Sequence, residues 1–236
     1  MFPLPFLNFF IFPVSSNFAI PDAVFARMDL ILFLPLFLVM SLESFAQKNK
    51  FEVIKKIAKG WTSFIYLAEN SEGKKFVLKV LKEKANRRDM AKRESENLQL
   101  ANSVGVGPKF VMVDFDENIV VYEYVEGIIF SKWIFSNPSS KELEVFLRAV
   151  FFQAKKLDKL GLDHGQLAGK GKNIIVSNDL PVIIDFEKAS TNRKVGNVNQ
   201  LLSFIFINPH SSVVKTVKQI LGIQVFEKLK KEVIQN

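Results

Sequence analysis

The chain has 236 residues, of which 48% are apolar and 24% are charged, which excludes a disordered protein and predicts one or two domains with a packed core. It contains no cysteine, which excludes disulfides, thiolate zinc sites and a cysteine nucleophile and is consistent with a cytoplasmic protein. The formal net charge of +8 is spread along the chain without a basic arm or interleaved aromatic residues, so we expect no direct binding of nucleic acid.

Residues 1–47 form a Phe-rich segment whose composition differs from the rest of the chain. Its two apolar runs, at residues 1–14 and 30–42, are each shorter than the roughly 18 to 20 residues that a bilayer-spanning helix needs. The segment also lacks the charged start and the cleavage site of a secretory signal. Two interpretations stay open: a peripheral hydrophobic membrane anchor, or a translation start assigned too early. We favour an actual start at Met40, so that residues 1–39 are not translated, and we expect membrane contact only if the segment is real.

Residues 48–127 carry five short runs with strand character and one helix, and we predict that they form the first domain of the folded part. A tight turn containing Gly60 separates the first two strands, and the helix spans residues 86–103. The predicted strands are residues 51–57, 63–69, 74–81, 109–115 and 118–124.

Two charged residues of this domain fall on apolar surfaces. Lys79 lies between apolar neighbours in the third strand, and Glu94 lies on the apolar stripe of the helix, whereas Glu96 points away from that stripe. A lone glutamate among apolar residues needs a cationic partner, so we predict an ion pair between Lys79 and Glu94. The alternative is that Glu94 lies at an edge and reaches water.

Residues 128–236 are predicted as a second, mostly helical domain. Ser139 and Glu142 form a capping box that begins a long helix ending near Leu160, and the apolar stripe of this helix predicts a core element without chemistry. Pro209 and Gly222 separate three short helices at the end of the chain. These helices are predicted at residues 195–207, 211–221 and 225–234.

A polar loop followed by a short hairpin lies between these helices, at residues 161–190. Its strands are predicted at residues 173–177 and 182–185, so the amide of Asn173 and the carboxylate of Asp185 stand side by side at one end of the hairpin. Such oxygen donors suit Mg²⁺, and neighbouring lysines suit phosphate. The loop before the hairpin contributes Asp163, His164, Gln166, Lys170 and Lys172.

Five pieces in this order resemble the protein kinase fold: a glycine turn, a strand lysine, a helix glutamate, an exit from the sheet and a hairpin ending in Asp-Phe. More closely, the chain resembles the small prokaryotic serine/threonine kinases of the RIO and Kae1-associated type, whose catalytic loop reads His-Gly-Asp where this chain has His164-Gly165-Gln166. The resemblance covers residues 51–236. It implies an α+β, bilobal protein kinase-like fold with a five-stranded antiparallel N-lobe at residues 48–127 and a reduced, mostly helical C-lobe at residues 128–236.

The resemblance also implies roles for individual residues toward ATP and Mg²⁺. Lys79 would hold the α- and β-phosphates and pair with Glu94, and Gly60 would lie in the turn that covers the phosphates. The backbone at Glu123 and Val125 would bind adenine. The implied metal ligands are Asn173 and Asp185, and the implied catalytic candidates are Asp163, Gln166, Lys170 and Lys172.

The main departure from the family pattern is Gln166, which stands where the catalytic aspartate is expected. An amide cannot accept the proton of the substrate hydroxyl, although it can orient that hydroxyl. Asp163 is a candidate replacement if the loop is repacked, and Lys170 or Lys172 is a candidate contact of the γ-phosphate. Glu187 replaces the glycine of Asp-Phe-Gly, which predicts a stiffer turn after Asp185.

Three functions follow from these observations. We expect an ATP- and Mg²⁺-dependent phosphotransferase, acting on the Ser/Thr hydroxyls of a protein partner and of itself. The absence of the catalytic aspartate keeps open a pseudokinase that binds nucleotide and serves as a regulatory partner module. A small-molecule kinase of the sugar or antibiotic type is a further alternative, because such enzymes share the Asp-bearing hairpin.

Overall fold

A computed structural model describes residues 42–82, 89–168 and 171–235, so the predictions for residues 1–39 lie outside the described part. Residues 42–48 form a helix, α1. A five-stranded antiparallel sheet follows, with the strand order β1-β2-β3-β5-β4. Its elements are β1 (Phe51–Lys59), β2 (Ser63–Asn70), β3 (Lys75–Leu81), α2 (Met90–Asn102), β4 (Phe110–Asp114) and β5 (Ile119–Glu123).

The central strand β3 determines the environment of the predicted strand lysine. It pairs with β2 on one side and with β5 on the other. Every residue of β3 after Lys75 is buried, so neither face of this strand lies in water. A charged side chain on β3 therefore needs a partner of opposite charge.

The second half of the molecule is mostly helical and contains a small sheet with the strand order β6-β7-β8. Together with the five-stranded sheet, this confirms the predicted α+β, kinase-like bilobal fold. No helix in the described ranges is long and apolar enough to cross a membrane. The elements are β6 (Ile128–Ile129), α3 (Phe130–Trp133), α4 (Ser140–Leu160), β7 (Ile174–Ser177), β8 (Leu180–Ile183), α5 (Asn197–Leu202) and α6 (Ser212–Gln235).

Helix α4 forms the centre of the helical half. Its predicted capping box is present, because Ser139 Oγ accepts from the Glu142 backbone N–H at 3.2 Å and Glu142 Oε2 accepts from the Ser139 N–H at 2.7 Å. The helix ends at Gly161, which has a φ of 79°. The predicted core role of α4 is confirmed by the burial of Leu143, Phe146, Leu147, Val150, Phe151, Ala154 and Leu157.

The hairpin β7–β8 differs from its predicted register. Asn178 and Asp179 adopt φ values of 47° and 61°, which give a two-residue turn, so Leu180 already pairs with Ser177. The second strand therefore begins two residues earlier than predicted, and Asp185 lies just beyond its end.

The connection into the helical half passes close to β7. A Cβ at Gly127 would collide with the carbonyl oxygen of Val176, so this position requires glycine. The predicted helix at 195–207 is α5 followed by a π-helical turn, Ser203–Ile207. The two predicted helices at the C-terminal end are present on either side of Gly222, whose φ of 73° and ψ of 158° are not helical; together they make up α6, so the predicted break is confirmed.

Candidate active site

The predicted strand lysine lies at the centre of a buried charge cluster. Lys79 Nζ donates to Glu94 Oε2 at 2.8 Å and to Asp185 Oδ1 at 2.7 Å. The Lys79 and Glu94 side chains are only 4% and 2% exposed. Burial opposes the charge on Lys79, but the carboxylates of Glu94 and Asp185 outweigh it and raise the pKa of the ammonium group. The predicted pairing of Lys79 with Glu94 is confirmed.

Asp185 supplies the accessible side of this cluster. It lies two residues after the end of β8 with a φ of 68°, and its side chain is 37% exposed. Burial acts to raise the pKa of Asp185, but the Lys79 ammonium outweighs burial and lowers it, so the carboxylate is ionised at neutral pH. Oxygen atoms of Glu94, Asp185 and Glu187 all lie within 4.8 Å of one another. Such a set of oxygen donors suits a hard cation such as Mg²⁺.

The second predicted metal ligand, Asn173, lies at the same end of the hairpin. The Ile184 N–H donates to the Asn173 carbonyl oxygen at 2.9 Å, so the hairpin closes beside Asp185. The Asn173 amide Nδ2 donates to the Gln166 carbonyl oxygen at 3.4 Å, which ties the preceding loop to the hairpin. The structure therefore brings Asn173, Asp185 and the backbone of Gln166 together.

His164 braces the loop before the hairpin. It is fully buried, and its Nε2 lies 2.9 Å from the Ile184 carbonyl oxygen. Burial lowers the pKa of His164, so the ring is neutral and its Nε2–H donates to that oxygen. The backbone N–H of His164 donates to Asn197 Oδ1 at 2.8 Å. His164 therefore fixes the loop against both the hairpin and α5.

Asp163, the candidate replacement for the catalytic aspartate, already has a partner at each of its two carboxylate oxygens. Asp163 is 5% exposed, and its Oδ1 accepts from Gln200 Nε2 at 3.0 Å. Its Oδ2 lies 3.0 Å from a guanidinium nitrogen of Arg193. To act as a base, Asp163 would have to leave both partners. Gln166 is half-buried at the position where the family pattern has the aspartate.

Comparison with known families agrees with this geometry. A family model described as the RIO domain matches residues 40–202, which is more than half of the chain. The chain belongs to the RIO domain family. Members of this family are atypical protein kinase-like proteins, so the predicted resemblance is confirmed and a kinase-like enzyme is supported. Over 72 residues the chain is 31% identical to an uncharacterized protein of Methanocaldococcus jannaschii, a match that spans 30% of this chain and 60% of that relative.

Two of the other predicted phosphate contacts of this RIO domain, Gly60 and Lys172, lie in the described part of the chain. Gly60 donates its N–H to the Ser63 carbonyl oxygen at 2.9 Å, which closes the turn between β1 and β2. A Cβ at Gly60 would meet only ordinary contacts, so this glycine is not sterically required. Lys172 is exposed beside β7, and Lys170 lies outside the described residues.

The segment predicted to bind adenine leaves the five-stranded sheet at the end of β5. Glu123 is the last residue of that strand, and its N–H donates to the Lys109 carbonyl oxygen at 2.9 Å. Its carboxylate accepts from Lys74 Nζ at 2.6 Å. Val125 follows in the connection to β6. The adenine-binding role of this backbone stays a prediction.

Two residues of the RIO domain cluster were not placed there by sequence reasoning. Thr62, in the turn after β1, donates its hydroxyl to Glu187 Oε2 at 2.7 Å. The same Glu187 oxygen lies 3.8 Å from Lys79 Nζ. A signal was present, because Glu187 stands where Asp-Phe-Gly has its glycine. That substitution alone predicts a stiffer turn and does not reveal which side chains the carboxylate contacts.

Proposed function

We propose that this RIO domain is an ATP- and Mg²⁺-dependent phosphotransferase that transfers the γ-phosphate of ATP to a Ser or Thr hydroxyl of a protein. The observation that carries the proposal is the position of Lys79, whose buried ammonium contacts both Glu94 and the partly exposed Asp185. Phosphoryl transfer depends mainly on positioning and on neutralising charge. A fixed ammonium beside oxygen ligands provides both.

The residues divide between holding the phosphates and holding the cation. Lys79 would contact the α- and β-phosphates, and Glu94 would keep its ammonium in place. Asp185 and Asn173 would hold Mg²⁺, which suits their oxygen atoms and, when bound, neutralises phosphate charge. His164 keeps the hairpin end in position through its hydrogen bond to Ile184.

The proton of the substrate hydroxyl has no obvious acceptor at the usual position. Gln166 can orient a hydroxyl through its amide, but it cannot take the proton. Both oxygens of Asp163 contact Gln200 and Arg193. We therefore expect slow transfer. The same observation favours a second candidate, a pseudokinase that binds nucleotide and regulates a protein partner.

The cellular compartment belongs to the same proposal. A cytoplasmic location is supported by the absence of cysteine from the whole sequence and by the supply of ATP in that compartment. The protein partner is expected from the resemblance to serine/threonine kinases.

The test is a single-turnover assay with the full-length protein, γ-labelled ATP and Mg²⁺, in which label on protein is separated from label on small molecules. The wild type should transfer label slowly, whereas Asp185→Ala and Lys79→Met should transfer no label. Gln166→Asp should accelerate transfer by roughly 10²-fold or more, the usual contribution of a general base. Glu96→Gln, a charge change on the exposed face of α2, is the matched control.

Each other outcome points to a different function. Equal transfer by the wild type and Asp185→Ala would refute the proposal. Nucleotide binding without transfer in the wild type would support the pseudokinase. Transfer to a small alcohol but to no protein would support a small-molecule kinase. Asp163→Asn should retain the wild-type rate if Asp163 only braces the loop.

A further inference from the structure

A hydrogen bond joins the two halves of the molecule beside Lys79, the residue proposed to hold the phosphates. Thr62 and Glu187 are 125 residues apart, and the Thr62 hydroxyl donates to Glu187 Oε2 at 2.7 Å. The same carboxylate oxygen lies 3.8 Å from Lys79 Nζ, and the Glu187 side chain is only 10% exposed. The carboxylate of Glu187 therefore lies between the phosphate-covering turn and the lysine that would hold the phosphates.

The turn that carries Thr62 is held by its own hydrogen bonds. The Gly60 N–H donates to the Ser63 carbonyl oxygen at 2.9 Å, and the Lys82 N–H donates to the Thr62 carbonyl oxygen at 2.8 Å. Lys82 Nζ also donates to the Gly60 carbonyl oxygen at 2.6 Å. Because the turn is fixed in this way, the contact between Thr62 and Glu187 follows from the position of the whole turn.

The charges around Lys79 favour cations over free anions. Oxygen atoms of Glu94, Asp185 and Glu187 lie within 4.8 Å of one another, and the single ammonium of Lys79 lies among them. These four side chains therefore carry an excess of two negative charges when all are ionised. A triphosphate without a cation would bring further negative charge into this space.

We infer that Glu187 makes nucleotide binding depend on a divalent cation, an inference that rests on the proposed function. A triphosphate can approach Lys79 closely only if the charge of the Glu187 carboxylate is neutralised. Without a cation, Glu187 competes with the phosphates for Lys79 and repels them. With a cation, the same carboxylate offers one more oxygen donor beside Asp185. Glu187 thus selects the cation complex of the nucleotide over the free nucleotide.

The experiment measures the dissociation constant of fluorescently labelled ATP, once in Mg²⁺ and once in EDTA, for the full-length wild type and its variants. The wild type should bind well only in Mg²⁺. Glu187→Gln should bind the nucleotide about tenfold more tightly in EDTA, because one negative charge near the phosphates is removed. Its affinity in Mg²⁺ should stay equal or fall, so the preference for Mg²⁺ shrinks about tenfold. Glu187→Ala is a second neutral variant in case the glutamine variant folds poorly.

Two further variants separate the charge from other effects. Thr62→Val removes the hydrogen bond but keeps the carboxylate, so it should retain the wild-type preference for Mg²⁺. Glu96→Gln removes a charge from an exposed surface and should also retain it. An unchanged preference in both Glu187 variants, while the wild type binds nucleotide in Mg²⁺, would overturn the inference and leave the proposed function intact. Failure of every protein to bind nucleotide in both conditions would overturn both.

Discussion

Removal of the Lys79 ammonium gives the most direct test of the buried cluster. Methionine matches the length of lysine without its charge, so Lys79→Met leaves the Glu94 carboxylate buried at 2% exposure without its 2.8 Å partner. Breaking a buried ion pair in this way costs about 3 to 5 kcal/mol. We expect the free energy of unfolding of Lys79→Met to fall by that amount, a large fraction of the roughly 5 to 15 kcal/mol of an ordinary domain.

Substitution of Glu94 should lower the free energy of unfolding less than substitution of Lys79 does, because Lys79 keeps a second carboxylate partner, Asp185. Glu94→Gln keeps a hydrogen-bond acceptor, and Lys79 remains 2.7 Å from Asp185. We expect a loss of about 1 to 2 kcal/mol for this variant. The double variant Lys79→Met/Glu94→Leu replaces the pair with apolar side chains and should recover most of the loss seen in Lys79→Met. With Glu94→Leu as the matching single variant, the coupling between the two sites should exceed about 2 kcal/mol.

The assay is urea denaturation of the full-length protein followed by far-UV circular dichroism. The deficit of Lys79→Met should shrink as the pH falls from 8 toward 5. Burial raises the pKa of Glu94, and the Lys79 ammonium opposes that rise, so in the variant the folded protein takes up a proton at a higher pH than the unfolded chain does. Losses in Lys79→Met and Glu94→Leu that add up in the double variant would show that the two side chains do not interact as the structure indicates.

Three further predictions concern His164, Gly127 and Gly161. Burial lowers the pKa of His164, so near pH 6.5 the unfolded chain binds a proton that the folded protein does not bind, and stability should fall as the pH drops below about 6.5. Urea denaturation measured across this pH range should show a smaller dependence of stability on pH for His164→Gln than for the wild type. The exposed His210→Gln is the control and should show the wild-type dependence. Gly127→Ala should lower the unfolding free energy by about 3 kcal/mol or more, because its Cβ meets the Val176 carbonyl oxygen. Gly161→Ala, where the space is open and φ is 79°, should cost only about 1 kcal/mol in the same thermal or urea measurement.

Much of the fold could be predicted because its signals are local and periodic. Strand alternation and helical spacing predicted the five strands, α2 and the capped α4, and the resemblance to kinases implied that the strands form one sheet. An unpaired charge on each of two apolar surfaces predicted the contact of Lys79 with Glu94. The hairpin register was wrong by two residues. Its turn depends on the positive φ values of Asn178 and Asp179, which asparagine and aspartate tolerate but do not require.

Other features could not be predicted because they depend on contacts between distant segments. The contact of Thr62 with Glu187 joins residues 125 positions apart, and no periodicity encodes it. The two oxygens of Asp163 are held by Gln200 and Arg193, which the sequence presents only as polar residues of later segments. β6 and α3 have only two and four residues, which are too few to show the periodic spacing of apolar residues that predicts a strand or a helix.

Several energetically costly features of the described part of the chain occur around Lys79. A lysine on a strand buried on both faces is less favourable than an apolar residue, because desolvation of the ion pair offsets most of its attraction. Asp185 adopts a φ of 68°, and His164 Nδ1 finds no hydrogen-bond partner among the described residues. Fold stability alone would favour none of these. If the cluster exists for ligand binding, Lys79→Met/Glu94→Leu should approach wild-type stability and yet lose ATP binding in Mg²⁺; retained binding would mean that the cluster is only structural.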